Sequence, residues 1–147
     1  PERFDLTCVN EQGEKERIVM VHAAITGSIE RFLSVLIEHL GGAFPLWLSP
    51  VQVRVLPVSE KHNAYAQEVL EFLKAANIRA DVDDANESLG KKIRNAKTEK
   101  IPYLLVVGDK EVEAKNVSVD GRDHGKLDSM SLADFVNRAS EEITCRG

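Results

Sequence analysis

An α/β fold is what the 147-residue sequence predicts, with a mostly parallel mixed sheet of about five strands and about three helices behind a hairpin–helix segment. Three observations lead there. Beyond Val51, short β-prone runs alternate with segments whose apolar residues recur at helical spacing, the pattern of strands joined by crossover helices. Tyr103–Val107 is apolar throughout, as expected of a strand buried on both faces. Before Gly41-Gly42, two β-prone runs and one helical segment make a poor independent core, and the abrupt start at Pro1 reads as a cut through a larger domain.

Each element has its own local cause. Phe4–Cys8 and Ile18–His22 are β-prone runs separated by the polar stretch Asn10–Glu14, which predicts a hairpin. Gly27-Ser28 opens a helix to about Leu40, with Ile29, Phe32, Leu33, Leu36, Ile37 and Leu40 at helical spacing, and Gly41-Gly42 ends it. Residues 43–50 form an apolar, proline-stiffened connector whose Phe44 and Trp47 are expected to pack rather than face water. Val51–Pro57 predicts a strand, and residues 61–76 a helix burying Tyr65, Val69, Phe72, Leu73 and Ala76. Ile78–Val82 predicts the next strand, and residues 88–98 a helix packed through Leu89, Ile93 and Ala96. After Tyr103–Val107 comes a turn at Gly108–Glu111 and a short strand at Val117–Val119. Ser131, with Asp134 three residues on, predicts the cap of a last helix whose inner face is Leu132, Phe135, Val136, Ala139 and Ile143. The division expected is residues 1–49 and 50–147.

Composition narrows the function classes. The net charge is −5; residues 1–49 carry 4 basic and 7 acidic side chains, and residues 50–147 carry 15 and 17. That balance argues against non-specific duplex DNA binding, which needs many phosphate neutralisations. It leaves room for a structured RNA held by a local patch. Apolar runs are too short to span a membrane and no signal-peptide pattern is present, so a cytoplasmic protein is expected. Cys8 and Cys145 form no CxxC pair, and reduced thiols are the simpler reading.

Within this acidic chain, Lys91, Lys92, Arg94, Lys97 and Lys100 gather with only Glu99 opposing them nearby. Such a patch can hold a phosphate backbone, or it can be a solvated helix face. Asn86 and Glu111 follow strands and are expected on the same side, beyond the strand C-termini where ligands bind in such sheets. Their amide and carboxylate suit base edges, although each alone reads as a turn residue. Gly27-Ser28-Ile29-Glu30-Arg31 is either an ordinary helix start or an anion site, with free N–H groups and Arg31 facing a phosphate. His22, at a strand end, reads as a partly buried, hydrogen-bonded histidine. No His/Cys/Asp grouping has metal spacing, His39, His62 and His124 show no partner pattern, and no catalytic triad, Walker loop or dinucleotide fingerprint is visible.

Several strings resemble the C-terminal part of threonyl-tRNA synthetases, which are class II aminoacyl-tRNA synthetases. They are Arg3–Thr7, His22–Phe32, Trp47–Val53, Leu89–Ala96 and Pro102–Glu111, in colinear order over essentially the whole chain. The resemblance implies a class II anticodon-binding domain over residues 50–147, preceded by the end of a catalytic domain carrying motif 3. It also implies that Gly27 and Arg31 contact ATP and that His22 is one of three zinc ligands, the other two lying upstream. The intact parent is then expected to be a homodimer using ATP, Mg²⁺ and Zn²⁺, while this fragment, lacking motifs 1 and 2, is expected to be inactive alone and to need no cofactor. Asn86 and Glu111 fall where such enzymes contact the anticodon, with Lys91, Lys92 and Arg94 near the RNA backbone of threonine tRNA.

Two departures stand out: Ala23 replaces the arginine commonly found after the histidine, and Asp120 replaces a base-reading arginine. Arg122, two residues further on, is the candidate substitute. A carboxylate at position 120 also motivates the alternative of an inert interaction or structural domain that kept the fold without specific tRNA recognition.

Overall fold

A computed structural model describes residues 1–24 and 26–146. Ile25, inside the His22–Phe32 string, and Gly147 lie outside the described residues. The chain divides into two compact units, Pro1–Leu36 and Ile37–Gly147. In the first, strands β1 (Thr7–Val9) and β2 (Lys15–Arg17) pair antiparallel, Thr7 opposite Arg17. The hairpin is as expected, but both strands sit closer to the turn than the β-prone runs suggest. Asn10 explains this: its side-chain oxygen accepts the Gln12 and Glu14 amides and builds the turn locally. Helix α1 spans Ile29–Leu40 and ends at Gly41 and Gly42, both in the left-handed conformation that glycine adopts freely.

The second unit is built on a six-stranded sheet. Its strands are β3 (Val53–Pro57), β4 (Ala80–Val82), β5 (Tyr103–Val107), β6 (Asn116–Gly121), β7 (Gly125–Lys126) and β8 (Met130–Ser131). The order is β4-β3-β5-β6-β7, with β8 also on β6. β3 is parallel to β4 and β5, whereas β6 is antiparallel to β5, β7 and β8. The sheet is therefore mixed rather than mostly parallel. The reason is the connection after β5: α4 (Asp109–Ala114), where only a turn was expected, is too short to carry the chain back across the sheet, so β6 returns antiparallel.

Alternation along the strands makes two cores. Val53, Val55, Tyr103, Leu105, Val107, Val117 and Val119 face α2 (Asn63–Ala75) and α5 (Leu132–Cys145), which contribute Ala66, Val69, Leu73, Phe135 and Ala139. The other face packs Leu56 and Leu104 against α3 (Leu89–Thr98) through Ala96, with Leu89 and Ile93 at its margin. Ser131 caps α5 as expected, its hydroxyl accepting the Asp134 amide at 3.1 Å. Two apolar expectations fail. Phe72 is 48% exposed, because Ala66, Val69 and Leu73 make the face of α2 that packs on the sheet. In the connector, Leu46 is the buried residue, at 1%, and Trp47 stays 37% exposed. Buried Gln52 holds the connector in place: its amide nitrogen donates to the Leu46 carbonyl at 2.9 Å and its oxygen accepts the Arg79 amide at 2.8 Å.

Candidate nucleic-acid interface

The parallel strands β3, β4 and β5 end together, and the segments that follow them, loops and first helical turns, carry the polar groups of interest. Val58–Asn63 follows β3, Asp83–Ser88 follows β4 and Gly108–Glu111 follows β5. Asn86 is exposed and lines a cavity of about 380 Å³ with Val58, Glu60, Asn63, Asp84 and Lys92. Val58 also borders Gly108: a Cβ on that glycine would lie 3.3 Å from the Val58 Cγ2 and 3.1 Å from the Glu111 Oε2. Asn86 and Glu111 thus sit at one end of the sheet, on either side of Val58.

Glu111 is held rigidly. One carboxylate oxygen accepts the Gly108 amide at 3.0 Å and the other accepts the Ser118 hydroxyl at 2.8 Å. Burial works to raise its carboxyl, but the Ser118 hydroxyl, its own amide and the Gly108 amide prevail and hold it below the usual range. It is therefore an anionic acceptor at neutral pH.

The cations of α3 are less free than their spacing suggests. Lys92 is 4% exposed, and its ammonium donates to the Asp83 carbonyl at 2.8 Å and the Pro57 carbonyl at 3.3 Å. It faces the sheet with Ala96, four residues along, and its charge is spent joining the ends of β3 and β4 rather than meeting a phosphate. Lys91 pairs with Glu87 at 2.6 Å and Lys97 with Asp120 at 2.9 Å. Lys100 bonds the Gly41 carbonyl. Glu99, the anion expected to oppose them, instead pairs with Arg54 at 2.9 Å. Among the described residues, Arg94 is the member of the group whose side-chain charge has neither an ion-pair nor a hydrogen-bond partner.

Arg122 does not join this site. Gly121 pairs opposite Tyr103, so Arg122 emerges at the N-terminal end of β5, away from Glu111. Its guanidinium is occupied there by Asp123 and by the Phe44 and Lys100 carbonyls. Position 120 is nearer: Asp120 and Ser118 alternate onto the face that α3 covers, so Glu111, Ser118, Asp120 and Lys97 form a polar row along β6.

His62 has the partners its sequence context did not reveal. Its Nδ1 accepts the Ser59 amide at 3.3 Å, which leaves the proton on Nε2, 3.0 Å from the Asp109 carboxylate. The Ser59 hydroxyl also lies 3.2 Å from Nδ1, but that nitrogen is already engaged by the amide. The trio clamps the loops after β3 and β5 and is not arranged as a nucleophile–base pair. Only tertiary contact unites residues 47 positions apart.

In the first unit, His22 is exposed and lies beyond β2 rather than at a strand end, so the partly buried histidine is not found. Gly27 has φ +68°, and Ser28, preceding α1, donates its hydroxyl to Glu30 at 2.8 Å. Arg31 is exposed in the first turn of α1. No group of three potential metal ligands exists among the described residues. No helix among the described residues is long and apolar enough to cross a membrane.

Comparison with known proteins places this geometry. The sequence profile of the anticodon binding domain family matches residues 52–142. The threonine–tRNA ligase of Caldanaerobacter subterraneus subsp. tengcongensis is 53% identical over 146 residues, covering 99% of this chain and 23% of that protein. That of Maridesulfovibrio salexigens is 54% identical over 150 residues, covering 100% and 23%. The chain therefore spans under a quarter of the length of these relatives. The RNA binding domain of threonyl-tRNA synthetase from Cryptosporidium parvum superposes with TM-score 0.76 at 35% identity, covering 97% of this chain and 36% of that one. Prolyl-tRNA synthetase from the same organism shares the fold, with TM-score 0.62 at 23% identity over 68% of this chain and 22% of that one. With its mixed sheet and the polar row beyond and beside β5, the chain belongs to the anticodon-binding domain family, and over its whole length it matches a region of bacterial threonine–tRNA ligases.

Proposed function

We propose that this chain is the C-terminal part of a threonine–tRNA ligase and that its second unit recognises the anticodon arm of threonine tRNA. The observation that carries this reading is the immobilised Glu111 carboxylate, fixed by Gly108 and Ser118 at the strand ends that also present Asn86. A pre-set acceptor beside an amide that can both donate and accept suits the edges of splayed, single-stranded bases. Exposed Lys91 and Arg94 supply the backbone-facing cations, and buried Lys92 positions the Asp83–Ser88 loop. The domain then contributes positioning and specificity, while bond chemistry belongs to the remainder of the ligase.

We place the boundary between the catalytic-domain end and the anticodon-binding domain at residues 49 and 50, supported by the family match beginning at residue 52. Exposed Phe4, Val9, Val19, Met20 and Val21 suit burial against the rest of a catalytic domain, in a homodimeric parent. That parent would activate threonine with ATP and Mg²⁺ and transfer it to tRNA. Arg31, an exposed guanidinium on the first turn of α1 behind Gly27, suits ATP phosphate. Zinc does not fit the described residues alone: His22 offers one imidazole where a catalytic zinc takes three protein ligands. Free, exposed Cys8 and Cys145 suit a reducing cytoplasm.

Titration against threonine tRNA, an anticodon-altered version and an unrelated tRNA at two salt concentrations tests the reading. Preference for the native anticodon, lost when Asn86 and Glu111 are replaced together, is expected. Equal weak binding to all three overturns it. That result would favour the second reading, an inert interaction or structural domain, which the internal pairing of Lys91 and Lys97 and the burial of Lys92 against two carbonyls motivate.

A further inference from the structure

The pair Lys97–Asp120 stands in an uncommon setting for a surface ion pair. Asp120 is 7% exposed, and a carboxylate so far removed from water is costly unless paired. Its ion-pair partner is the Lys97 ammonium, 2.9 Å away, at the end of a side chain that is itself 55% exposed. The side chain is thus anchored at its ammonium, while more than half of its surface is open to solvent. The contact is an ion pair, and an ammonium carries three N–H donors in all. Register fixes where this happens: Asp120 lies opposite Leu104 and Ser118 opposite Val106, so the two side chains are about 7 Å apart on one face of β6. Ser118 in turn donates to Glu111. A fixed donor therefore lies in line with a fixed acceptor along one strand.

We infer that Lys97 is a specificity-determining residue that donates to the acceptor edge of a guanine in the bound anticodon, and that Asp120 is its positioning residue. The inference rests on the anticodon-recognition reading above. Guanine is the base that presents two acceptors, O6 and N7, side by side on one edge, and lysine donors suit that edge. A free surface lysine could reach many geometries at the expense of side-chain entropy. Anchoring by a nearly buried carboxylate restricts the ammonium to one place, which serves base discrimination more than it serves phosphate attraction. Under this inference Asp120 does not repel the RNA, because its charge is already compensated within the fold.

The test compares the full chain with Lys97→Met, Lys97→Arg and Asp120→Asn. Each is titrated against threonine tRNA and transcripts with each anticodon guanine changed to adenine, at two salt concentrations. Circular dichroism melts check that each variant is folded at the binding temperature. Adenine replaces the O6 acceptor with an amino donor, so wild type should prefer one guanine by roughly tenfold. Lys97→Met should erase that preference, with little change in affinity for the matching adenine transcript, and Lys97→Arg should keep part of it. Asp120→Asn should lower the preference while the variant remains folded, which a purely structural aspartate would not do. Weakening of all transcripts alike by Lys97→Met, with a salt slope smaller by about one, would make Lys97 a phosphate contact and overturn the inference. An unchanged preference would overturn it too. Absence of any anticodon preference in wild type would instead refute the recognition reading on which it stands.

Discussion

Replacing Lys92 with methionine separates two roles that the same residue could play. As a phosphate contact, Lys92 would contribute nothing to folding, and its loss would weaken RNA binding uniformly. The structure makes it a strut: at 4% exposure its ammonium donates to the Asp83 and Pro57 carbonyls, joining the C-terminal ends of β4 and β3. Methionine keeps most of the volume but leaves both carbonyls without that donor. Hydrogen bonds to a charged group contribute about 1.5–3 kcal/mol each, and an orphaned buried acceptor costs about 1–3 kcal/mol. The 3.3 Å bond is the weaker, so a net loss of about 2–4 kcal/mol is expected. Against a typical domain stability of about 5–15 kcal/mol this is a large fraction. Urea unfolding followed by far-UV circular dichroism should show the midpoint falling with an unchanged m-value. Lys91→Met is the control, because an exposed pair such as Lys91–Glu87 is worth only about 0–1 kcal/mol. A Lys92→Met protein within about 0.5 kcal/mol of wild type, whose tRNA affinity shows a salt slope reduced by about one, would refute the reasoning.

Three further outcomes follow from the same contacts. Phe135 is fully buried and meets Tyr103 edge-on, ring centroids 5.5 Å apart, so Phe135→Ala should cost about 3–5 kcal/mol in the same unfolding assay. Burial first, and then donation to the Glu142 carboxylate, push the Tyr103 hydroxyl up to about 12, above its unfolded value near 10. The folded state therefore retains its proton between those values, so melting temperature should fall as pH rises through that window, and less steeply in Tyr103→Phe. Glu111 has the opposite sign: its carboxyl is held below the unfolded value, so its contribution is present above about pH 4.5 and lost as pH falls through the folded value. Glu111→Gln should flatten that acid limb of the stability curve and lower the preference for the native anticodon.

Much of the second unit was legible in its residues because local causes dominate there. Tyr103–Val107 is apolar enough that only a buried strand accommodates it, and Ser131 with Asp134 carries its helix cap in four residues. Periodicity also placed Phe135 and Ala139 on the inner face of α5. It failed where apolar character and burial part company. Phe72 belongs to the pattern by type, yet Ala66, Val69 and Leu73 make the face of α2 that packs on the sheet. The direction of β6 was equally hidden, since a short apolar run reads the same whether the chain approaches from either end.

By itself, the sequence determined the alternation of strands and helices, the two glycines that stop α1, the family to which residues 52–142 belong, and the presence of Asn86 and Glu111 after strands. These depend on neighbours a few positions apart or on strings of residues that survive as text. Tertiary structure alone decided what the charges do. It buried Lys92 against two carbonyls, paired Lys97 with Asp120, sent Arg122 to the opposite end of the sheet and brought His62 to Asp109. Electrostatic roles depend on distance and desolvation, and both are set by contacts between residues far apart in the chain, so five nearby cations in the sequence become a strut, three engaged side chains and one free guanidinium in the fold.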